Sequence, residues 1–140
     1  MTRRGVTLLE LTVVLTIIGL VSAIALPRLA DLRDGTAVKS AIADLGATFS
    51  LARQTAITRR TAVAVVFDTV TGMVQLRSAG RVVNQRSLYA IYDVVLAANR
   101  DSAVYDARGL GYGASNLTVT IRRGRIVDTL TMSRLGRVRW

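Results

Sequence analysis

The chain has no cysteine and no histidine, and it holds one proline, one lysine and one glutamate among 140 residues. Without cysteine there is no disulfide and no thiolate metal ligand, and the compartment's redox state leaves no mark on the sequence. Without histidine, and with Glu10 the sole glutamate, the usual general bases and the commonest metal ligands are missing. Asp, Ser, Thr and Arg remain, yet none is spaced as a catalytic constellation. The chain therefore reads as a non-enzyme that needs neither a metal nor a cofactor.

What is present in excess is positive charge and one long apolar run. The formal charge is +10, and Lys39 is the only cation that is not arginine. Guanidinium groups suit bidentate contacts with phosphate and carboxylate. A GC-rich genome also raises arginine content whatever the function, so placement matters more than number. Apolar residues make up 51% of the chain and crowd towards the N-terminus, which leaves room for one small domain and one membrane segment.

From Val6 to Leu26 the only charge is Glu10. As a helix this stretch spans ~30 Å, the thickness of a bilayer's hydrocarbon core. Arg3 and Arg4 precede it, which leaves the N-terminus cytoplasmic and exports the rest. A cleaved secretory signal is the alternative, with Ser22-Ala23-Ile24-Ala25 as its cutting site. It does not account for Glu10, because a carboxylate in lipid costs ~2.5–3.5 kcal/mol even on lenient scales. A cut after Gly5 would free the α-ammonium of Val6, four residues before Glu10. In a helical bundle the carboxylate would then pair with the ammonium of a neighbouring subunit, favouring one stagger over others.

Downstream, Pro27 should bend the helix, since it lacks an N–H and crowds the preceding turn. Asp34-Gly35 is a second weak point, after which Thr36 is placed to cap a new start. Val38, Ile42, Leu45, Phe49, Ala52 and Ala56 recur at helical spacing and predict one buried stripe to about Thr58. Beyond Arg60 the texture changes to strands: Thr61 to Phe67, Met73 to Arg77, Arg81 to Arg86, Leu117 to Ile121 and Ile126 to Met132. Leu88 to Ala98 also reads as strand. Gly109, Gly111 and Gly113 read as a flexible loop. The expected class is α+β, a long N-terminal helix lying on an antiparallel sheet. The segments are a leader at 1–5, a membrane helix at 6–26, its amphipathic continuation at 27–60 and a β-rich head at 61–140.

Gly5-Val6-Thr7-Leu8-Leu9-Glu10, with arginines ahead and an apolar run behind, resembles the type IV prepilin signature. Val6 stands where that signature most often has Phe or Met. The resemblance implies cutting after Gly5 by a prepilin peptidase, N-methylation of Val6 and assembly into a filament through Glu10. It also implies a helix kink at Pro27 and a single-pass anchor in the bacterial inner membrane, with the head outside the cytoplasm. Phe67-Asp68 followed by Gly72, and Ser133-Arg134-Leu135-Gly136-Arg137-Val138-Arg139, resemble recurrent elements of the GspH/FimT family of pilin-like proteins. Membership implies a minor pilin or pseudopilin of a type II secretion system or type IV pilus, whose partners are other subunits and exported proteins. The alternatives are a FimT-like minor pilin that binds DNA for uptake, and a major filament subunit.

The C-terminus carries the chemistry that bears on that choice. Arg122, Arg123, Arg125, Arg134, Arg137 and Arg139 fall within the last nineteen residues, opposed only by Asp128 and ending on Trp140. Arg137 and Arg139 project to one side of an extended chain, Arg134 lies just upstream, and Trp140 offers a ring for base stacking. In the resembled family a Gly-Arg-x-Arg tail is associated with DNA binding, and Gly136-Arg137-Val138-Arg139 matches it. If the last two long strands form a hairpin, the Arg123-Gly124 turn and the tail sit at opposite ends, as two basic patches.

Overall fold

The computed structural model describes residues 7–112 and 116–140. Gly5, Val6, the leader arginines and Gly113 lie outside them. The chain divides into two compact units, one ending at Arg33 and one running from Asp34 to Trp140.

The first unit is the opening part of helix α1, Leu8–Arg59. Thr7 starts it: its Oγ1 accepts the Glu10 backbone N–H at 3.2 Å, half of a Thr-x-x-Glu capping box. Besides the expected pairing, the position of Glu10 in the first turn suits the helix dipole. Leu, Ile and Val side chains between Leu8 and Leu32 are exposed on all sides, a surface that a helix keeps only where lipid or other helices cover it. Thr12 Oγ1 and Thr16 Oγ1 donate to the carbonyls of Leu9 and Thr12 at 2.8 and 2.7 Å. Neither hydroxyl then needs water.

Pro27 lies inside α1, and the helix continues on both sides of it. The expected break at Asp34-Gly35 is absent, so Thr36 lies inside the helix, which is one element of 52 residues. A glycine inside a helix costs only ~1 kcal/mol, and the burial that begins at Val38 outweighs it.

In the second unit, Val38, Ile42, Leu45, Phe49, Ala52 and Ala56 are all buried, as their spacing requires. Each large member contributes ~1.5–3 kcal/mol on leaving water. The helix ends in a Schellman motif: the Thr61 N–H donates to the Ala56 carbonyl and the Arg60 N–H to that of Ile57, both at 3.3 Å.

Strands follow in two antiparallel sheets. The first has five, in the order β3-β2-β1-β5-β6: β1 is Val63–Asp68, β2 Met73–Ser78, β3 Arg81–Ser87, β5 Ser102–Tyr105 and β6 Gly111–Tyr112. The second has four, in the order β4-β7-β8-β9: β4 is Val95–Ala98, β7 Leu117–Arg123, β8 Ile126–Met132 and β9 Val138–Arg139. One core cluster joins the helix stripe to Val63, Val65 and Phe67 from the first sheet and Val119, Ile121 and Leu130 from the second. Phe49 sits at its centre, with its ring centroid 6.0 Å from that of Phe67 and 6.5 Å from that of Tyr105.

Two expectations are corrected. Leu88 to Ala98 is not one strand: Leu88–Tyr92 forms helix α2, and only Val95–Ala98 is extended. Ser87 Oγ caps α2 by accepting the Ala90 N–H at 3.1 Å, and Asp93 closes it in a left-handed conformation. The glycine-rich segment is not a loop throughout, because Gly111–Tyr112 pairs with β5. Asp106 fastens the turn before it, its Oδ1 accepting the N–H groups of Leu110 and Arg108 at 2.9 Å each. Those bonds, the Leu110 N–H foremost, hold its carboxyl below the usual carboxylate range.

Candidate functional site

The sites legible in the sequence fall at the two ends of the chain. At the N-terminus the described residues begin at Thr7, so the cutting site is not among them. Glu10 stands exposed in the first turn of α1, and Pro27 lies within the same apolar helix.

At the C-terminus, β8 and β9 pair through Thr131↔Arg139 and Met132↔Val138, so the tail is a strand rather than a free end. The intervening loop is closed by three hydrogen bonds, each with Ser133 at one end. The Ser133 carbonyl accepts the Gly136 N–H at 2.9 Å, and the Ser133 N–H donates to the Arg137 carbonyl at 2.7 Å. Ser133 Oγ accepts the Arg137 N–H at 3.2 Å. A tight turn followed by a left-handed residue fits this pattern, and Gly136 at φ +77° supplies it. Gly136 is also hemmed in, since a Cβ there would stand 2.8 Å from Tyr105 Cε1 and 3.0 Å from the Gly111 nitrogen. The glycine of the Gly-Arg-x-Arg element thus has a purely structural reason. Tyr105 Oη donates to the Gly136 carbonyl at 3.2 Å, and burial pushes that phenol up to about 12.

The loop sends its arginines two ways. Arg137 and Arg139 line one groove of about 520 Å3 with Asn116, Thr118, Thr131 and Ser133. Arg134 lines a separate cleft of about 170 Å3 on the other side, together with Arg100, Ser102, Tyr112 and Ser133. Among the described residues no carboxylate lines either space. Trp140 lines neither: its ring lies over helix α1 at Gly46, 2.8 Å from where a Cβ on that glycine would be. Arg100 and Tyr112 escaped the sequence reading because only the β5–β6 pairing and the β8–β9 hairpin bring them beside Arg134. No local spacing signals that.

The second basic patch lies at the opposite end of β8, and its centre is already occupied. Arg123 Nε meets Asp34 Oδ1 at 2.9 Å and its Nη2 meets Asp93 Oδ2 at 3.4 Å. Its Nη1 donates to the Tyr92 carbonyl. This arginine binds α1, α2 and the hairpin together, so it does not present its charge to a ligand.

Comparison with known proteins follows the same division of the chain. Residues 41–136 match the model of the family described as type II transport protein GspH, and residues 1–26 match the prokaryotic N-terminal methylation motif. Among solved structures, the chain resembles the type IV minor pilin FimU of Pseudomonas aeruginosa (strain PAO1) in two crystal forms. The first gives a TM-score of 0.62 at 16% identity over 73% of this chain and 86% of that one. The second gives 0.59 at 17% identity over 72% and 90%. At such identity the likeness establishes the fold alone. No curated protein matches the sequence.

Proposed function

Since the chain belongs to the GspH family and carries the N-terminal methylation motif, we propose that it is cut after Gly5, methylated on Val6 and packed into a filament through its apolar helix. It is a minor pilin or pseudopilin of the type II secretion and type IV pilus class. One observation carries the assembly reading: from Leu8 to Leu26 α1 exposes apolar side chains on every face, with Glu10 in its first turn as the only charge. Such a surface is stable in lipid before assembly and in a helical bundle after it. Glu10 then meets the α-ammonium of Val6 from a neighbouring subunit, and Pro27 bends the helix where it leaves the membrane.

The test is processing and assembly in the cell. Replacing Gly5 should leave a precursor that prepilin peptidase does not shorten, and normal maturation of that variant would refute the reading. Glu10→Ala should be processed normally yet fail to enter filaments.

A second reading is favoured by the groove of Arg137 and Arg139: two arginines, three hydroxyls and an amide, with no carboxylate among the described residues that line it. This is chemistry for the phosphates of a nucleic acid, bound without reading sequence and weakened steeply by salt. Under this reading the filament subunit captures DNA for uptake, and without it the head contacts exported proteins. Salt-sensitive DNA binding that disappears in the Arg137→Ala, Arg139→Ala double variant supports it, and the absence of binding at low salt defeats it.

A further inference from the structure

Building on the nucleic-acid reading, we infer that the Arg100–Tyr112–Arg134 cleft is a nucleotide subsite that makes the surface selective for single strands. The observation is a juxtaposition across two sheets. Tyr112 ends β6 at the edge of the five-stranded sheet, while Arg134 stands in the loop of the four-stranded one. The close approach of Gly111 and Gly136 brings those two edges together: a Cβ on Gly111 would lie 2.8 Å from the Arg134 carbonyl oxygen. Arg100 completes the cleft from the residues just before β5.

The chemistry is that of one nucleotide. Arg100 and Arg134 supply two permanent cations, Ser102 and Ser133 supply hydroxyls, and no carboxylate among the described residues lines the space. Tyr112 is 72% exposed, so its ring is open to a stacking partner. Base faces stack on such rings whatever the base, and only an unpaired strand offers its base faces. A run of acidic side chains would satisfy the arginines but has no flat face to stack on the tyrosine. Trp140 cannot serve this cleft, because it does not line it and its ring is set against Gly46. Ser133 and Met132 line both this cleft and the Arg137–Arg139 groove. A strand crossing the hairpin loop would place phosphates against arginines on both sides, with one base on Tyr112.

The test uses the full-length protein in detergent micelles and fluorescence anisotropy with four probes: a short oligothymidylate, its abasic analogue, a duplex of equal length and polyglutamate. Tyr112→Ala should weaken oligothymidylate binding about tenfold, the equivalent of ~1.4 kcal/mol of stacking, and leave the abasic strand unchanged. Tyr112→Phe should restore it. Arg100→Gln should weaken both strands alike, and the duplex should bind less tightly than the single strand throughout.

If Tyr112→Ala binds like the parent while Arg137→Ala, Arg139→Ala does not, this subsite is refuted and the groove reading survives. Polyglutamate competing as well as oligothymidylate refutes the subsite too. A parent protein that binds no nucleic acid refutes both. The high exposure of Tyr112 keeps loss of fold from mimicking loss of binding, and a melting curve of each variant checks it.

Discussion

Trp140, the last residue, closes its ring over Gly46 in the middle of α1, so near that a β-carbon on the glycine would meet Cη2 and Cζ3 at 2.8 Å. The two residues stand far apart in sequence, and their contact ties the C-terminal strand to the helix. Arg137 and Arg139 therefore sit on a segment fixed at both ends, by Gly136 against Tyr105 and by Trp140 against Gly46.

The first prediction concerns that contact. Gly46→Ala should displace the ring rather than unfold the head, because Trp140 is already 62% exposed and free to turn outward. The cost should be about 1 kcal/mol or less. Trp140 is the only tryptophan, so a red shift of its fluorescence emission reports the displacement directly. An unshifted spectrum would contradict it.

Tyr105 makes alkaline stability a second prediction. Its folded-state pKa, about 12, lies above the ordinary tyrosine value of 10.0. The neutral phenol is the form that the fold favours, so its contribution is fully present below pH 10. It is lost as the pH rises from 10 through about 12. Unfolding midpoints measured across that window should fall, and the fall should be smaller in Tyr105→Phe. At neutral pH Tyr105→Phe should itself cost about 1–3 kcal/mol, because it leaves the buried Gly136 carbonyl without its donor.

Arg60 and Ala79 are non-glycine residues with φ of +49° each, in the Schellman end of α1 and in the β2–β3 turn. A left-handed backbone costs residues with a Cβ ~1–2 kcal/mol. Arg60→Gly and Ala79→Asn should each gain about 0.5–1 kcal/mol, read as a rise in melting temperature. A fall in either variant would show that the replaced side chain contributes more than the strain it carries.

Arg123→Gln should destabilise the head by about 2 kcal/mol, since it strands Asp34 beside Gly124 and frees the α2 terminus. Denaturant titration checks the loss.

The legible parts of the fold are those written at short range. The helix stripe from Val38 to Ala56 appears in the spacing of its residues, and the β1–β2, β2–β3 and β7–β8 hairpins announce themselves through Gly72, Gly80 and Gly124 at positive φ. Helix α2 was missed because Leu88–Tyr92 is too short for a period and depends on its caps, Ser87 and Asp93. Strands β6 and β9 are two residues each and exist only through partners contributed by β5 and β8. The division of strands between two sheets leaves no local trace either. The same limit governs the candidate site. Arg137 and Arg139 were visible as neighbours, whereas Arg100 and Tyr112 join Arg134 through pairing alone.

The groove beside β9 has a consequence for how it can be regulated. Its lining consists of Asn116, Thr118, Thr131, Met132, Ser133, Leu135, Arg137 and Arg139. Among the described residues it holds no carboxylate, imidazole or amine side chain. Acidification of the surroundings therefore cannot switch this surface on or off. Ionic strength can, since counterions compete for the same guanidinium groups: the surface is deaf to protons and responsive to salt.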